Sequence, residues 1–189
     1  TDSFISVLGL TRTELSLAYL IGTVASSFCL SEAGRYFDLW GGRVMITIAS
    51  VSLSLMLIYI SFLDLVSTFL GGSSLLCFIL ITIGYFGVRL FGQGVLTNCS
   101  RNVLLFWFTR RRGLVTGIRN VFVTIGFSIA PMIIGGMIGL YGWRGALWIF
   151  AMSIGAGFSL LSFLLIRDNP ESCGLKADGI ENCATEYPI

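Results

Sequence analysis

The chain contains no histidine and only one lysine, Lys176. Without an imidazole, an HExxH zinc site, a Ser-His pair and a Cys-His pair are all unbuildable, because each needs a neutral ring nitrogen as ligand or base. Gly126-Phe127-Ser128 has the GxS pattern of an intramembrane serine nucleophile, but no histidine partner is present to activate Ser128. No GxxxxGK[ST] occurs, so no phosphate-binding P-loop is expected. The five cysteines form no CxxC; Cys29, Cys77 and Cys99 fall in apolar runs, and Cys173 and Cys183 lie near the C-terminus. That is no disulfide framework. Enzymatic chemistry is not expected, nor is any cofactor or metal.

Charge is scarce as well. Charged residues make up 12% of the 189-residue chain against 55% apolar residues, and mean hydropathy is +0.88. A soluble domain carries about 25% charged residues, so this chain cannot coat a soluble globule and reads as a polytopic membrane protein in contact with a lipid bilayer. A net charge of +2 leaves no basic excess for nucleic acid.

The uncharged gaps locate the spans. Seventeen residues separate Glu14 from Glu32, and runs of 20, 24, 24 and 22 cover 44–63, 65–88, 120–143 and 145–166. A helix needs about 20 apolar residues to cross the hydrocarbon core. None of the runs alternates in the manner of a barrel strand, so the expectation is an all-α bundle of five transmembrane helices. Their approximate limits are 14–33, 44–63, 75–99, 115–139 and 145–166, the third running on toward Trp107. The bundle thus occupies 1–167, and 168–189, with five of the ten acids and two of the three prolines, reads as a polar cytoplasmic linker.

Basic residues orient the bundle, since they accumulate on the cytoplasmic side. Arg35 and Arg43, then Arg101, Arg110, Arg111, Arg112 and Arg119, then Arg167 and Lys176 place nine on one side; Arg12 and Arg144 lie on the other, and Arg89 lies within a span. The tail is therefore expected in the cytoplasm and Thr1 outside, which in turn predicts a fragment preceded by at least one span.

Arg89 stands about fifteen residues into the third span, where an ionisable group costs roughly 2.5–3.5 kcal/mol unless it faces protein or water. Helical spacing places Thr82, Tyr85, Arg89, Gln93, Thr97 and Ser100 on one face. Similar polar stripes run through Ser16, Tyr19, Thr23 and Ser27 and through Asn120, Thr124 and Ser128. Three such faces predict a shared hydrated cavity with Arg89, Gln93, Tyr19, Thr97 and Asn120 toward substrate or coupling ion. Small hydroxyl residues at this spacing also serve plain helix packing. In the fourth span Gly126, Ala130, Pro131 and Gly135 punctuate the helix, as a packing kink or as a bend that seals against a neighbour.

The short link Gly34-Arg35-Tyr36-Phe37-Asp38-Leu39-Trp40-Gly41-Gly42-Arg43 resembles the GxLxDRxGxR loop of the major facilitator superfamily, with Tyr36 in place of its Leu and Leu39 in place of its basic residue. Further elements follow in that family's order. Arg89 to Gly94 resembles its RxxxG element, and Trp107-Phe108 with Arg110-Arg111-Arg112-Gly113 and Gly117 resembles the loop before its fifth helix in oxalate/formate antiporters and monocarboxylate transporters. Gly126 to Gly136 is similar to its antiporter motif, with Ala130 replacing a glycine. Gly142-Trp143-Arg144, then Asn169-Pro170-Glu171, also fit.

The resemblance implies helices two to six of a twelve-helix secondary transporter in a cell membrane, the bacterial inner membrane above all, partnered by the missing C-terminal half of the same chain. It further implies that Gly34, Asp38, Gly41, Arg43, Arg111 and Arg112 gate alternating access, together with Gly126, Pro131 and Gly135, and that a small organic anion such as a monocarboxylate is moved by proton coupling or exchange. A non-transporting receptor-like or assembly subunit on the same fold, or a carrier of another small solute, is the alternative.

Overall fold

The computed structural model describes residues 11–63, 65–66, 74–108 and 110–168. The expected reading of 169–189 as a linker, the family-like residues Asn169, Pro170 and Glu171, and Cys173 and Cys183 lie outside them. The described residues are nearly all helical, as the uncharged runs require. Three helices are long and apolar enough to cross a membrane: α1 (Arg12–Ser61), α2 (Ser74–Trp107) and α3 (Arg112–Leu165).

A capping box starts α1. The Thr11 hydroxyl accepts the Glu14 N–H at 3.3 Å and the Glu14 carboxylate accepts the Thr11 N–H at 2.8 Å, so two otherwise orphaned donors are satisfied. Held straight, α1 would put Leu15 and Ile60 about 68 Å apart. Instead Leu15 and Ala18 share one buried cluster with Ile60, Leu63, Cys77 and Ile81, so the helix doubles back. The reversal falls at Gly41, at φ 80° and ψ 163°, in a backbone region that only glycine occupies readily. The same device recurs in α3 at Gly142, φ 70° and ψ 169°. Both turns sit in one local pattern, Leu39-Trp40-Gly41-Gly42-Arg43 and Leu140-Tyr141-Gly142-Trp143-Arg144. Helices α1 and α3 are thus two limbs each, 12–40 with 42–61 and 112–141 with 143–165.

Small residues let the limbs approach. A Cβ added to Gly22 would lie 2.9 Å from the Phe86 backbone nitrogen and 3.3 Å from the Thr82 carbonyl oxygen, so the first limb of α1 meets the backbone of α2 there. Farther along, a Cβ on Gly94 would lie 3.0 Å from the end of the Leu30 side chain, so the two segments run side by side in the same direction. On its other flank the second limb of α1 meets the second limb of α3, where the buried Ser54 hydroxyl donates to the Ala151 carbonyl at 2.7 Å beside Gly155. Without water in the hydrocarbon core, such close packing is the main adhesive between helices. Gly22→Leu should therefore lower the stability of the detergent-solubilised protein by about 1–3 kcal/mol, the range for overpacking. Gly157→Ala, which meets nothing within 4 Å, should leave the unfolding midpoint near that of the unsubstituted protein in the same thermal melt.

Two stretches depart from α geometry, Arg89–Leu96 in α2 and Ser153–Phe158 in α3, both π-helical. By contrast the first limb of α3 is regular but largely uncovered by the other described residues. Gly126 and Gly135 have nothing within 4 Å of a would-be Cβ, and Pro131 lies inside this limb with no break in its helical dihedrals.

Candidate substrate-facing site

The π stretch opens on Arg89. Its Nε donates to the Thr23 hydroxyl at 3.1 Å, and its guanidinium carbon stands 5.1 Å from the centre of the Tyr19 ring. The Thr23 hydroxyl in turn donates to the Tyr19 carbonyl at 2.7 Å, which fixes its lone pairs toward the arginine. Tyr85, one turn before Arg89, meets Tyr19 edge to face at 5.7 Å. A half-buried cation is thus held by a hydroxyl and a ring face, both neutral. Neither α2 nor α3 carries a single Asp or Glu. The four acids among the described residues with placed side chains are Glu14, which caps α1, Glu32, which pairs with Arg35 at 2.9 Å, and Asp38 and Asp168 at the Gly41 turn.

The expected α-helical stripe on α2 is divided by the π turns. A π turn carries about 4.4 residues instead of 3.6, so residues beyond it are rotated from the face that α spacing assigns them. Up to the first residue of the π stretch, Tyr85 and Arg89 face the first limb of α1. After it, Thr97 and Ser100 face α3 and meet a residue that sequence reasoning left among the junction cations, Arg119. Its Nε lies 3.4 Å from the Ser100 hydroxyl, and its terminal nitrogens lie 3.5 Å from the Thr97 carbonyl and 3.4 Å from the Asn120 side-chain oxygen. Thr97 and Asn120 are therefore brought together, but through Arg119 and away from Tyr19. Gln93 is exposed between the two groups. The signal that marks Arg119 is its place two helical turns beyond Arg112, heading the stripe of Asn120, Thr124 and Ser128.

The residues of the first short link gather at the arginine-rich end. The Asp168 carboxylate accepts the backbone N–H of Arg43 at 2.6 Å and so caps the second limb of α1 from 125 positions away in sequence. A Cβ on Gly41 would lie only 2.8 Å from that carboxyl group. The Arg43 side chain reaches past it, donating from Nε to the Phe163 carbonyl at 2.6 Å with the guanidinium 4.1 Å above the Phe163 ring. Trp107 donates to the Arg167 carbonyl at 3.2 Å, and Phe37 stacks on Phe106 at 6.2 Å, so the Gly41 turn of α1 and the C-terminal ends of α2 and α3 are tied at one level. Asp38 is exposed and shares a pocket of about 150 Å³ with Gly41 and Asp168. Gly34 meets nothing within 4 Å. Arg112 donates to the carbonyls of Phe108 at 3.1 Å and Leu105 at 3.4 Å, cations at a helix C-terminus that complement its dipole, while Arg111 is the N-cap of α3. Asp168 was hidden from sequence reasoning because it opens the polar tail; an acid two positions beyond the last apolar run, next to Arg167, is the signal it offered.

A family model described as Major Facilitator Superfamily matches residues 2–177. Among curated proteins, the "Probable L-galactonate transporter" of Escherichia coli (strain K12) is 28% identical over 139 residues, which is 73% of this chain and 28% of that protein. The "Glycerol-3-phosphate transporter" of Bacillus subtilis (strain 168) is 34% identical over 91 residues, 48% of this chain and 20% of that protein. The chain spans less than a third of the length of these curated relatives. No solved structure matches it.

Proposed function

This chain belongs to the Major Facilitator Superfamily, and we propose that it serves as part of a secondary active transporter for a small organic anion, with Arg89 as the anion's contact. The observation that carries this reading is the partnership of Arg89. A guanidinium within an apolar span, held only loosely by the Thr23 hydroxyl and the Tyr19 ring and with no carboxylate anywhere on α2 or α3, is left to find its counter-charge in what binds. A carboxylate or phosphate matches its fork bidentately. The names of the two relatives carry the same chemistry, a sugar acid and a phosphate ester, and a monocarboxylate belongs to that class of anion.

In this reading α1 and α3 each cross the membrane twice and α2 once, with the arginine-rich end in the cytoplasm of a bacterial cell and the 168–189 segment as linker. Gln93, Tyr19, Thr97 and Asn120 line the path. Gly34, Asp38, Gly41, Arg43, Arg111 and Arg112 form the end that opens and closes, by alternating access against the remainder of the transporter, and Gly126, Pro131 and Gly135 lie on the limb that moves with it.

Initial uptake into proteoliposomes of the full-length protein tests the class. L-galactonate, glycerol 3-phosphate, lactate and oxalate should include at least one transported anion, whereas glycerol and galactose, neutral and of similar size, should not enter above protein-free vesicles. Entry of the neutral solutes alone would overturn the reading.

A further inference from the structure

We infer that Arg119 is a second anion-holding station on the same path, one that receives the substrate between Arg89 and the arginine-rich mouth. This rests on the anion reading of Arg89 and extends it to a residue to which nothing else assigns a role.

The levels of the two guanidiniums come from the contacts around them. Gly22 lies beside Thr82 and Phe86, and Gly94 lies beside Leu30. Thr23, which holds Arg89, is therefore level with residues 83–87 of α2. Arg119 touches Thr97 and Ser100. About thirteen residues separate the centres of those levels, at most about 20 Å along the axis at 1.5 Å per residue and less because Arg89–Leu96 is π-helical. That is too far for one small anion to span and about right for two successive resting places. Between them the exposed Gln93 and, beside Arg119, the Asn120 amide supply neutral donors.

Three features separate Arg119 from the arginines that only brace helices. Arg112 caps the end of α2 through a bond of 3.1 Å, and Arg43 is locked by a bond of 2.6 Å under a ring contact. Arg119 makes contacts of 3.4–3.5 Å, all to neutral oxygens, at the long limit of hydrogen bonding. Such contacts yield readily to a charged acceptor, because a charge-assisted bond is shorter and about twice as strong as a neutral one. It is also half-buried two turns into α3, at the head of the uncharged run 120–143, rather than at the helix end. Finally, no acid on α2 or α3 competes for it. An anion released by Arg89 toward that end meets Arg119, which reaches α2 from α3, as the next half-buried cation, and its contacts to Ser100, Thr97 and Asn120 are the ones it exchanges for the anion.

The test uses the full-length protein in membrane vesicles of both orientations, with the same four labelled anions, L-galactonate, glycerol 3-phosphate, lactate and oxalate. For whichever is carried, Arg119→Gln should raise the half-saturating concentration at the arginine-rich face about tenfold, the loss of one charge-assisted contact, and change it less than about twofold at the opposite face. Arg119→Lys, which keeps the charge, should return it to within about threefold. A brace between α2 and α3 would give another pattern, with both variants slowing transport alike from both faces at unchanged half-saturation; that result overturns the station while leaving the anion reading intact. Carriage of none of the four by the unsubstituted protein overturns both.

Discussion

Glutamine in place of Arg89 should lower anion uptake by the full-length protein about a hundredfold. A hydrogen bond to a charged group contributes about 1.5–3 kcal/mol, and a bidentate carboxylate or phosphate makes two of them. Allowing for water that follows the substrate into the cavity, about 3 kcal/mol is lost, which at 1.4 kcal/mol per decade is about two orders of magnitude. Glutamine keeps much of the length and some donor capacity, so the fall reports charge and fork geometry rather than an empty space. Arg89→Lys keeps the charge but not the plane that lies against Tyr19 or the paired donors; about a tenfold fall is expected. Thr23→Val removes the hydroxyl that Arg89 donates to at 3.1 Å and should cost only a few-fold, since one neutral bond contributes about 1 kcal/mol. The ordering Gln, Lys, Val matters more than any one value. Initial rates in proteoliposomes, corrected for the amount of protein reconstituted, give it directly, and unimpaired uptake by Arg89→Gln would remove the basis of the anion reading.

Arg89 was legible in the sequence because it is the lone charge in a run of apolar residues, and expense in lipid is a property of composition that needs no coordinates. The helical class was legible for the same reason. Arg119 was not, since a count of basic residues near a junction places it by number along the chain, and only the contact with Ser100 and Thr97 shows that it turns inward. The α2 stripe was half legible. Helical spacing connects Tyr85 to Arg89 correctly, but periodicity assumes 3.6 residues per turn, and the π turns over Arg89–Leu96 send Thr97 and Ser100 to another neighbour. Asp168 shows a different limit. The cap it supplies to Arg43 joins positions 125 apart, and no local pattern encodes a partner that the fold brings from the far end of the bundle. The Gly41 turn was within reach of the short charged link, but its recurrence at Gly142 becomes meaningful only when both are seen to adopt the same backbone.

That recurrence permits a clean measurement. Gly41 and Gly142 share a conformation that costs a residue with a side chain about 1–3 kcal/mol, so Gly142→Ala, with nothing within 4 Å of the new Cβ, should destabilise by that amount alone. Gly41→Ala bears the same strain and adds a Cβ 2.8 Å from the Asp168 carboxyl group, an overpacking worth a further 1–3 kcal/mol, for a total of about 4 kcal/mol. The carboxylate cannot simply retreat, because the Arg43 N–H it accepts at 2.6 Å would be left without a cap, itself a loss of about 1 kcal/mol. Asp168→Ala should therefore cost about 1 kcal/mol in the unsubstituted protein yet soften the effect of Gly41→Ala, so the two substitutions together destabilise by less than the sum of their separate effects. The same Asp168→Ala combined with Gly142→Ala should be additive. Denaturant unfolding of the five single and double variants in detergent micelles reads the coupling, and equal costs at Gly41 and Gly142 with strict additivity would mean that Asp168 does not sit over the first turn. A positive coupling would place the end of α3 on the α1 turn, so that the link carrying Asp38 moves with two helices at once, which is what a gate shared between limbs requires.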